Sequence, residues 1–187
     1  MQARDIDLKK YLPQKYLAAL DIVKQNSQGA IYLIGGAVYR TIARELHGTT
    51  QTPHDFDFLV ETTNQSLTAP EGWAIQTNRY GNPKFTHEKL TVDLVPIRTI
   101  HSIISRKLDP TLENYLKGTP FDIQSIAYDT KNDRVIGKDA FDSLDSKIVN
   151  INNYAEAFHA AEKKGHTGSL SYLRAMAKSL DFQPVYI

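Results

Sequence analysis

Apolar and polar residues alternate in the segment HDFDFLVE at 54–61, and this alternation predicts a β-strand. Successive side chains of a strand point to opposite faces, so the apolar residues share one face. That face consists of Phe56, Phe58 and Val60. Asp55 and Asp57 share the other face. We therefore expect a strand with one buried apolar side and one side that carries two carboxylates.

A second alternating segment lies at 89–98, with the sequence KLTVDLVPIR. Leu90, Val92 and Leu94 form its apolar face, and Asp93 falls on the opposite face. Aspartate is disfavoured inside strands, so its presence here indicates that the carboxylate is used. An exposed strand aspartate without a function is the alternative interpretation.

Helices and further strands follow from the spacing of the remaining apolar residues. Amphipathic helices are predicted at 13–25, after Gly35 and Gly36, at 153–163 and at 169–180, with shorter helices at 100–108 and 110–118. The positions predicted to face the core are Leu17, Leu20 and Val23 in the first helix, Val38, Ile42 and Leu46 in the second, and Leu170, Leu173, Met176 and Leu180 in the last. Segments 73–80 and 83–89 predict strands that form an antiparallel meander with the strand at 89–98.

Gly35 and Gly36 stand between a predicted strand at 31–34 and the helix that follows it. Paired glycines allow a phosphate to approach backbone amides closely. The start of the helix adds unpaired N–H groups and the positive end of a dipole, which suit an anion such as a triphosphate. A tight turn without a ligand is the alternative interpretation.

The three aspartates on the two predicted strands are candidate ligands of divalent cations. Two Mg²⁺ ions about 3.5 to 4 Å apart stabilise the attacking and leaving oxygens of an in-line displacement, and they need acidic ligands from neighbouring strands. Asp55 and Asp57 supply one pair, and Asp93 is the predicted bridge. An isolated Asp-X-Asp is commonly a solvated strand end. The order of strand, Gly-Gly, helix and acidic pair favours a nucleotidyl-transferring site.

Five segments, in this order, resemble the DNA polymerase beta-like nucleotidyltransferases, and within them the head domain of poly(A) polymerases and CCA-adding tRNA nucleotidyltransferases. LIGGAVYR at 33–40 is similar to the family's GGAVRD, HDFDFLV at 54–60 to its KDFDFVV, and VDLVPIR at 92–98 to its third-carboxylate strand. The segment 121–151 resembles the family's FTINALAYDP region, and 171–182 resembles the helix that opens the neck. Each segment is short, and the order of all five makes the resemblance specific.

The resemblance implies an α+β fold of the polymerase beta-like nucleotidyltransferase type, with an α/β two-layer architecture. In this architecture a mixed, antiparallel-rich sheet is flanked by helices. It implies one head-like domain over residues 1–187, with 153–187 as a helical extension similar to the start of a neck. The implied activity is metal-dependent transfer of a nucleoside monophosphate from a nucleoside triphosphate, such as ATP, to an acceptor hydroxyl. Pyrophosphate is released, and Mg²⁺ or Mn²⁺ is the expected cofactor.

The resemblance also assigns roles to individual residues. It makes Asp55, Asp57 and Asp93 the catalytic metal ligands, and it makes Gly35 and Gly36 the phosphate-binding turn. Further candidates for nucleotide binding are Arg40, Asp122 and Arg174. Arg40 is one position later than the family's arginine, which rotates it by about 100° around the helix. For Asp122 the alternative is a structural cap, and for Arg174 it is an ion pair with Asp181.

The chain departs from the family in the segment before 121–151. The family has two arginines and an aspartate there, which help to select the sugar and bind the nucleotide; this chain has Gly118, Thr119 and Pro120. The polar stretch at 47–54 predicts an enlarged loop beside the metals. We therefore expect an acceptor preference that differs from that of the tRNA enzymes. The stretch at 78–94 is closer to small standalone members of the family than to the tRNA enzymes, since a Tyr-Gly-Asn-Pro turn joins two strands before the third carboxylate, and this favours a small standalone transferase. The alternative is a catalytically inactive nucleotide-binding or interaction module of the same fold.

Charge and composition restrict the partners. The 22 lysines and arginines nearly balance the 21 aspartates and glutamates, and no basic stripe of the kind that holds nucleic acid is present in the sequence. The acceptor is expected to be an RNA 3′ end, a protein or a small molecule. Cysteine is absent, no apolar stretch reaches the roughly 20 residues of a membrane span, and the expected location is the cytoplasm.

Overall fold

A computed structural model gives the fold of the protein and describes residues 1–48 and 55–186. The helices in these residues are α1 Lys15–Asn26, α2 Gly36–His47, α3 His101–Ser105, α4 Leu112–Lys117, α5 Ala140–Ser146, α6 Tyr154–Lys163 and α7 Ser169–Leu180. The strands are β1 Gln2–Arg4, β2 Ser27–Ile34, β3 Asp55–Thr63, β4 Ala74–Thr77, β5 Pro83–His87, β6 Leu90–Pro96, β7 Ile126–Asp129, β8 Arg134–Gly137, β9 Ile148–Val149 and β10 Gln183–Pro184. Each predicted helix and strand is found, with ends shifted by a few residues.

One large sheet organises the described chain. Its strands lie in the order β1-β8-β7-β2-β3-β6-β5-β4, and β9 and β10 form a separate short parallel pair. Within the described part of the large sheet, β3 and β6 pair in parallel and the other neighbouring strands pair antiparallel. The predicted meander of β4, β5 and β6 is confirmed. The mixed, antiparallel-rich sheet flanked by helices is also confirmed.

The two faces of the sheet pack against different groups of helices. Phe56, Phe58 and Val60 of β3 are at most 1% exposed and belong to the main core, which includes residues of α1, α2 and α7. A smaller apolar cluster contains Leu59 of β3 together with Leu116 of α4. Because Leu59 shares the face of Asp57, the carboxylate side of β3 is apolar farther along the strand. The candidate site is therefore placed at one end of a partly covered face.

Three of the predicted core positions are exposed instead. Leu17 is 55% exposed, Leu46 52% and Leu170 47%. In α1 the buried stripe includes Tyr16 and Ala19, which turns Leu17 toward solvent. Leu46 and Leu170 lie in the terminal turns of α2 and α7, where a helix is less completely covered by its neighbours. The remaining positions predicted to face the core are buried.

No helix in the described residues is both long enough and apolar enough to cross a membrane. The predicted loop at 47–54 begins at the end of α2, where the Gly48 N–H donates to the carbonyl of Arg44. The remaining residues of that loop, including His54, lie outside the described residues.

Candidate active site

Two of the three predicted carboxylates lie side by side on the only parallel strand pair described in the large sheet. Asp57 of β3 is in register with Asp93 of β6, and Asp55 is in register with Thr91. Paired residues of neighbouring strands point to the same face, so the side chains of Asp57 and Asp93 share one face. On the other side of β3, Asp57 is in register with Ile34, the last residue of β2.

The turn after β2 brings a glycine against Asp57. Gly35 has a φ of 67°, a conformation that other residues rarely adopt. A Cβ atom added to Gly35 would lie 3.2 Å from Oδ2 of Asp57, which is closer than an ordinary van der Waals contact. Helix α2 starts at the next residue, Gly36. The predicted turn is therefore found, and the glycine also leaves space beside the carboxylate.

The protein environment favours the neutral form of Asp57. Burial raises the pKa of this carboxyl to about 7, and the negative charges of Asp93 and Asp55 contribute to the rise. Lys164 and Lys84 act in the opposite direction. A carboxyl that is costly to ionise alone gains strongly from a cation that neutralises it, so this raised pKa is typical of a metal-binding or catalytic carboxylate.

Asp93 is held by two side chains of the neighbouring hairpin. Asn78 Nδ2 donates a 2.6 Å hydrogen bond to Oδ1 of Asp93, and Lys84 Nζ lies 3.6 Å from Oδ2. Asp93 is 8% exposed, which makes such partners necessary for an ionised carboxylate. Lys84 is directly opposite Asp93 in the β5 and β6 register. The carboxylate is therefore fixed in position and charge-balanced.

Asp55 takes a different position from the other two carboxylates. It is exposed at the start of β3, and its Oδ1 accepts a 2.5 Å hydrogen bond from the hydroxyl of Thr91. Among the described residues, no three His, Cys, Asp or Glu side chains are gathered closely enough to hold a metal ion. The structure thus brings Asp57 and Asp93 together, and a site that uses all three carboxylates stays a prediction.

The pair of carboxylates suits Mg²⁺ or Mn²⁺. Mg²⁺ prefers oxygen ligands and is commonly bound through one or two carboxylates, with substrate phosphates and water completing its coordination. Asp57 and Asp93 provide two carboxylates on one face of the sheet. This donor set fits a cation that is shared with a phosphate-bearing substrate.

A cleft of about 850 Å³ opens over this pair. Asp57 and Asp93 line it together with Gly35, and Arg79, Lys84 and Lys163 supply positive charge to its lining. Gly118, Thr119 and Pro120, which stand where the sequence resemblance implies two arginines and an aspartate, also line the cleft. The departure seen in the sequence therefore falls on the wall of the candidate site.

The other predicted nucleotide-binding residues are not among the described residues that line the cleft. The Arg40 side chain folds back along α2 toward Gly36, and a Cβ atom added to Gly36 would lie 3.4 Å from its Nε. The guanidinium carbon of Arg40 lies 5.8 Å from the centre of the Tyr39 ring. Arg174 Nε donates to the hydroxyl of Tyr186 at 2.9 Å. Each of these arginines lies against a tyrosine.

Asp122 is 6% exposed and serves as a buried acceptor. Its carboxylate accepts hydrogen bonds from the backbone N–H of Ile123 at 2.7 Å and from Nδ2 of Asn150 at 2.7 Å. Burial raises its pKa, and the bonds from Asn150 oppose this rise. The geometry corresponds to the structural cap that the sequence left open as the alternative.

Several cleft residues have no clear sign in the sequence. Tyr115 of α4 lines the cleft, and burial, together with the charge of Asp57, raises its pKa. His101 Nδ1 lies 3.0 Å from Oε1 of Glu156, and the rings of His101 and His159 stack with centroids 3.9 Å apart. These residues come from α3, α4 and α6. Asn78 could have been recognised from the sequence as a turn residue, but its hydrogen bond to Asp93 could not.

The fold is shared with solved structures of tRNA-processing enzymes, although no protein-family profile and no curated protein sequence matches the chain. A CCA-adding enzyme in complex with CTP covers 100% of this chain and 44% of its own, at 16% identity and a TM-score of 0.65. The match to a Thermotoga maritima CCA-adding enzyme complexed with tRNA covers 100% of this chain and 44% of that enzyme, at 17% identity and a TM-score of 0.62. The match to a tRNA nucleotidyltransferase complexed with a primer tRNA and an incoming ATP analog covers 83% of this chain and 43% of that enzyme, at 16% identity and a TM-score of 0.53.

These likenesses define the class of fold. The chain has the nucleotidyltransferase fold, and the resemblance found in five sequence segments is confirmed at the level of the fold. The chain spans less than half the length of the structures that it matches.

Proposed function

We propose that the protein is a metal-dependent nucleotidyltransferase, which transfers a nucleoside monophosphate from a nucleoside triphosphate to an acceptor hydroxyl. The main support is the register of Asp57 and Asp93 on β3 and β6, directly beside the Gly35 turn. The cleft above them, of about 850 Å³, has the size of a small-molecule binding site. Neighbouring carboxylates that can hold a divalent cation beside a triphosphate are what this chemistry requires.

Each part of the site has a role in this reaction. Asp57 and Asp93, with Asp55 as the proposed third ligand, would hold Mg²⁺ or Mn²⁺, which polarises phosphoryl oxygens and lowers the pKa of the acceptor hydroxyl. The turn at Gly35 and the first amides of α2 would stabilise negative charge on the triphosphate. The acceptor oxygen bonds to the α-phosphorus while the bond to the pyrophosphate oxygen breaks, and no covalent enzyme intermediate is needed.

The acceptor is proposed to be an RNA 3′ end, with a protein or small-molecule hydroxyl as the alternatives. The matched structures are of enzymes described with CTP, with ATP and with tRNA. That description supports a triphosphate as donor and RNA as the first acceptor to test.

A nucleotide-binding module without turnover is the second candidate. Gly118, Thr119 and Pro120 line the cleft where the resemblance implies arginines and an aspartate, so side chains that would bind the nucleotide are replaced. Such a protein would bind a triphosphate with Mg²⁺ but would not transfer it.

One assay separates these candidates. The protein is incubated with each labelled nucleoside triphosphate, Mg²⁺ or Mn²⁺, and cell extract divided into RNA, protein and small-molecule fractions. We expect label in one fraction, pyrophosphate release, and loss of both in Asp57→Asn. Triphosphate binding by calorimetry without incorporation would favour the inactive module. A folded Asp57→Asn variant with full metal-dependent activity would refute the assigned site.

A further inference from the structure

Lys84 belongs to a cross-strand row that contains both carboxylates of the candidate site. Asp57 on β3 is in register with Asp93 on β6, and Asp93 is in register with Lys84 on β5. Residues in one row of a sheet point to the same face, and neighbouring strands are about 4.8 Å apart. Lys84 is therefore roughly 10 Å from Asp57 along the row. Asp57, Asp93 and Lys84 therefore occupy adjacent positions of one row, and all three line the cleft.

The cleft has positive charge on the β4–β5 hairpin and at the end of α6, and none at the positions where the resemblance implies arginines. Lys84 lines the cleft together with Arg79, which is in the turn between β4 and β5, and Lys163 at the end of α6. Gly118, Thr119 and Pro120 line it as well and carry no charged side chain. A triphosphate in this cleft would find its cationic partners on the β4–β5 hairpin and at the end of α6.

We propose that Lys84 binds the phosphate tail of the donor nucleotide, a role that rests on the proposed transferase function. Without a ligand, the ammonium group lies 3.6 Å from Oδ2 of Asp93 and balances its charge. A divalent cation held by Asp93 would take over that balance and would leave the lysine available to the phosphates. The Lys84 side chain is 29% exposed, so its long stem can move into the cleft without unpacking the core.

A purely structural role for Lys84 predicts a different result. If the lysine only neutralises Asp93, its removal would tighten binding of Mg²⁺ because a competing cation is gone. It would leave binding of a phosphate ligand unchanged. Inorganic pyrophosphate is the suitable probe, since it contains the phosphates without base or sugar.

The test compares Lys84→Met, Lys84→Arg and Lys89→Met with the unaltered protein. Met keeps the length of the stem without the charge, and Arg restores the charge. Lys89 is an exposed lysine in the turn between β5 and β6 and is not among the described cleft residues. Calorimetry with Mg²⁺ measures binding of pyrophosphate, ATP and adenosine, and a separate titration measures Mg²⁺ alone. Urea unfolding checks that each variant is folded.

We expect Lys84→Met to weaken pyrophosphate and ATP binding by about tenfold or more, the effect of losing one charge-assisted hydrogen bond. Adenosine binding should not change, Lys84→Arg should recover most of the affinity, and Lys89→Met should bind like the unaltered protein. Equal pyrophosphate affinity in Lys84→Met and the unaltered protein would overturn this inference and leave the proposed function standing. An unaltered protein that binds neither ATP nor pyrophosphate would overturn both.

Discussion

Asn78 donates a 2.6 Å hydrogen bond from Nδ2 to Oδ1 of Asp93, fifteen residues later in the chain. The oxygen of the same amide accepts the backbone N–H groups of Tyr80 and Asn82. One side chain thus shapes the turn between β4 and β5 and fixes a carboxylate of the candidate site. The turn sequence therefore influences the chemistry of the cleft.

Replacing Asn78 should lower stability and disturb Asp93. In Asn78→Ala, Asp93 loses a hydrogen bond and the turn loses two, which we expect to cost about 1 to 3 kcal/mol. Urea unfolding measures this loss. Gln76→Ala, an exposed change on the same hairpin, should be within about 0.5 kcal/mol of the unaltered protein. Equal stability of the two variants would show that the Asn78 contacts are not maintained in solution.

Asp57 should make the unaltered protein less stable as pH rises. In the folded state its pKa is raised from 3.8 to about 7, so between these values the folded chain holds a proton that the unfolded chain has lost. The free energy of unfolding therefore falls with increasing pH over this range. Asp57→Asn removes the effect and should be about 1 to 4 kcal/mol more stable above pH 7, with little gain below pH 4.

Urea unfolding at pH 4, 6 and 8 without divalent cations measures this difference. A gain that is constant with pH would mean that Asp57 does not titrate in this range. Asp21→Asn, an exposed change of the same kind in α1, is the control.

Binding of Mg²⁺ should become tighter as pH rises through about 7. A cation binds the ionised carboxylate, so protonation of Asp57 competes with it. Calorimetry at pH 6 and pH 8 should show weaker binding and greater proton release at the lower pH. Affinity that does not vary with pH would place the cation away from Asp57.

Two glycine substitutions separate backbone strain from loss of phosphate binding. Gly35 and Gly165 both have positive φ, 67° and 74°, so alanine should cost about 1 to 2 kcal/mol of stability at each. A Cβ on Gly35 would lie 3.2 Å from Asp57, whereas one on Gly165 would meet nothing within 4 Å. Only Gly35→Ala should therefore weaken binding of ATP with Mg²⁺. Equal nucleotide affinity in the two variants would remove Gly35 from the site.

Asp122 offers a test of a structural role against a nucleotide-binding role. Its carboxylate is bound by Ile123 and Asn150 inside the protein, so Asp122→Ala should cost about 2 to 4 kcal/mol in urea unfolding. The folded variant should keep its affinity for ATP with Mg²⁺. A large loss of ATP affinity with unchanged stability would restore Asp122 to the nucleotide site.

The sequence determined the elements and the chemistry that is local to them. Alternation in β3 and β6 placed Phe58 in the core and Asp57 on the opposite face, since the period of a strand is fixed by its backbone. The glycine pair after β2 was recognisable as a turn because glycine readily takes a positive φ, as Gly35 does. Helices α6 and α7 were predicted at 153–163 and 169–180, within one residue of where they lie.

Only the tertiary structure decided which residues meet. The register that aligns Asp57, Asp93 and Lys84 depends on which strands pair, and β3 pairs with β6 across a long stretch of intervening chain. The contact of Asn78 with Asp93 depends on the same pairing. The partners of Arg174 and Asp122, which are Tyr186 and Asn150, likewise follow from contacts that the local sequence does not show. Local patterns specify an element and its faces, whereas the neighbours of a face are set by long-range packing, which no short segment encodes.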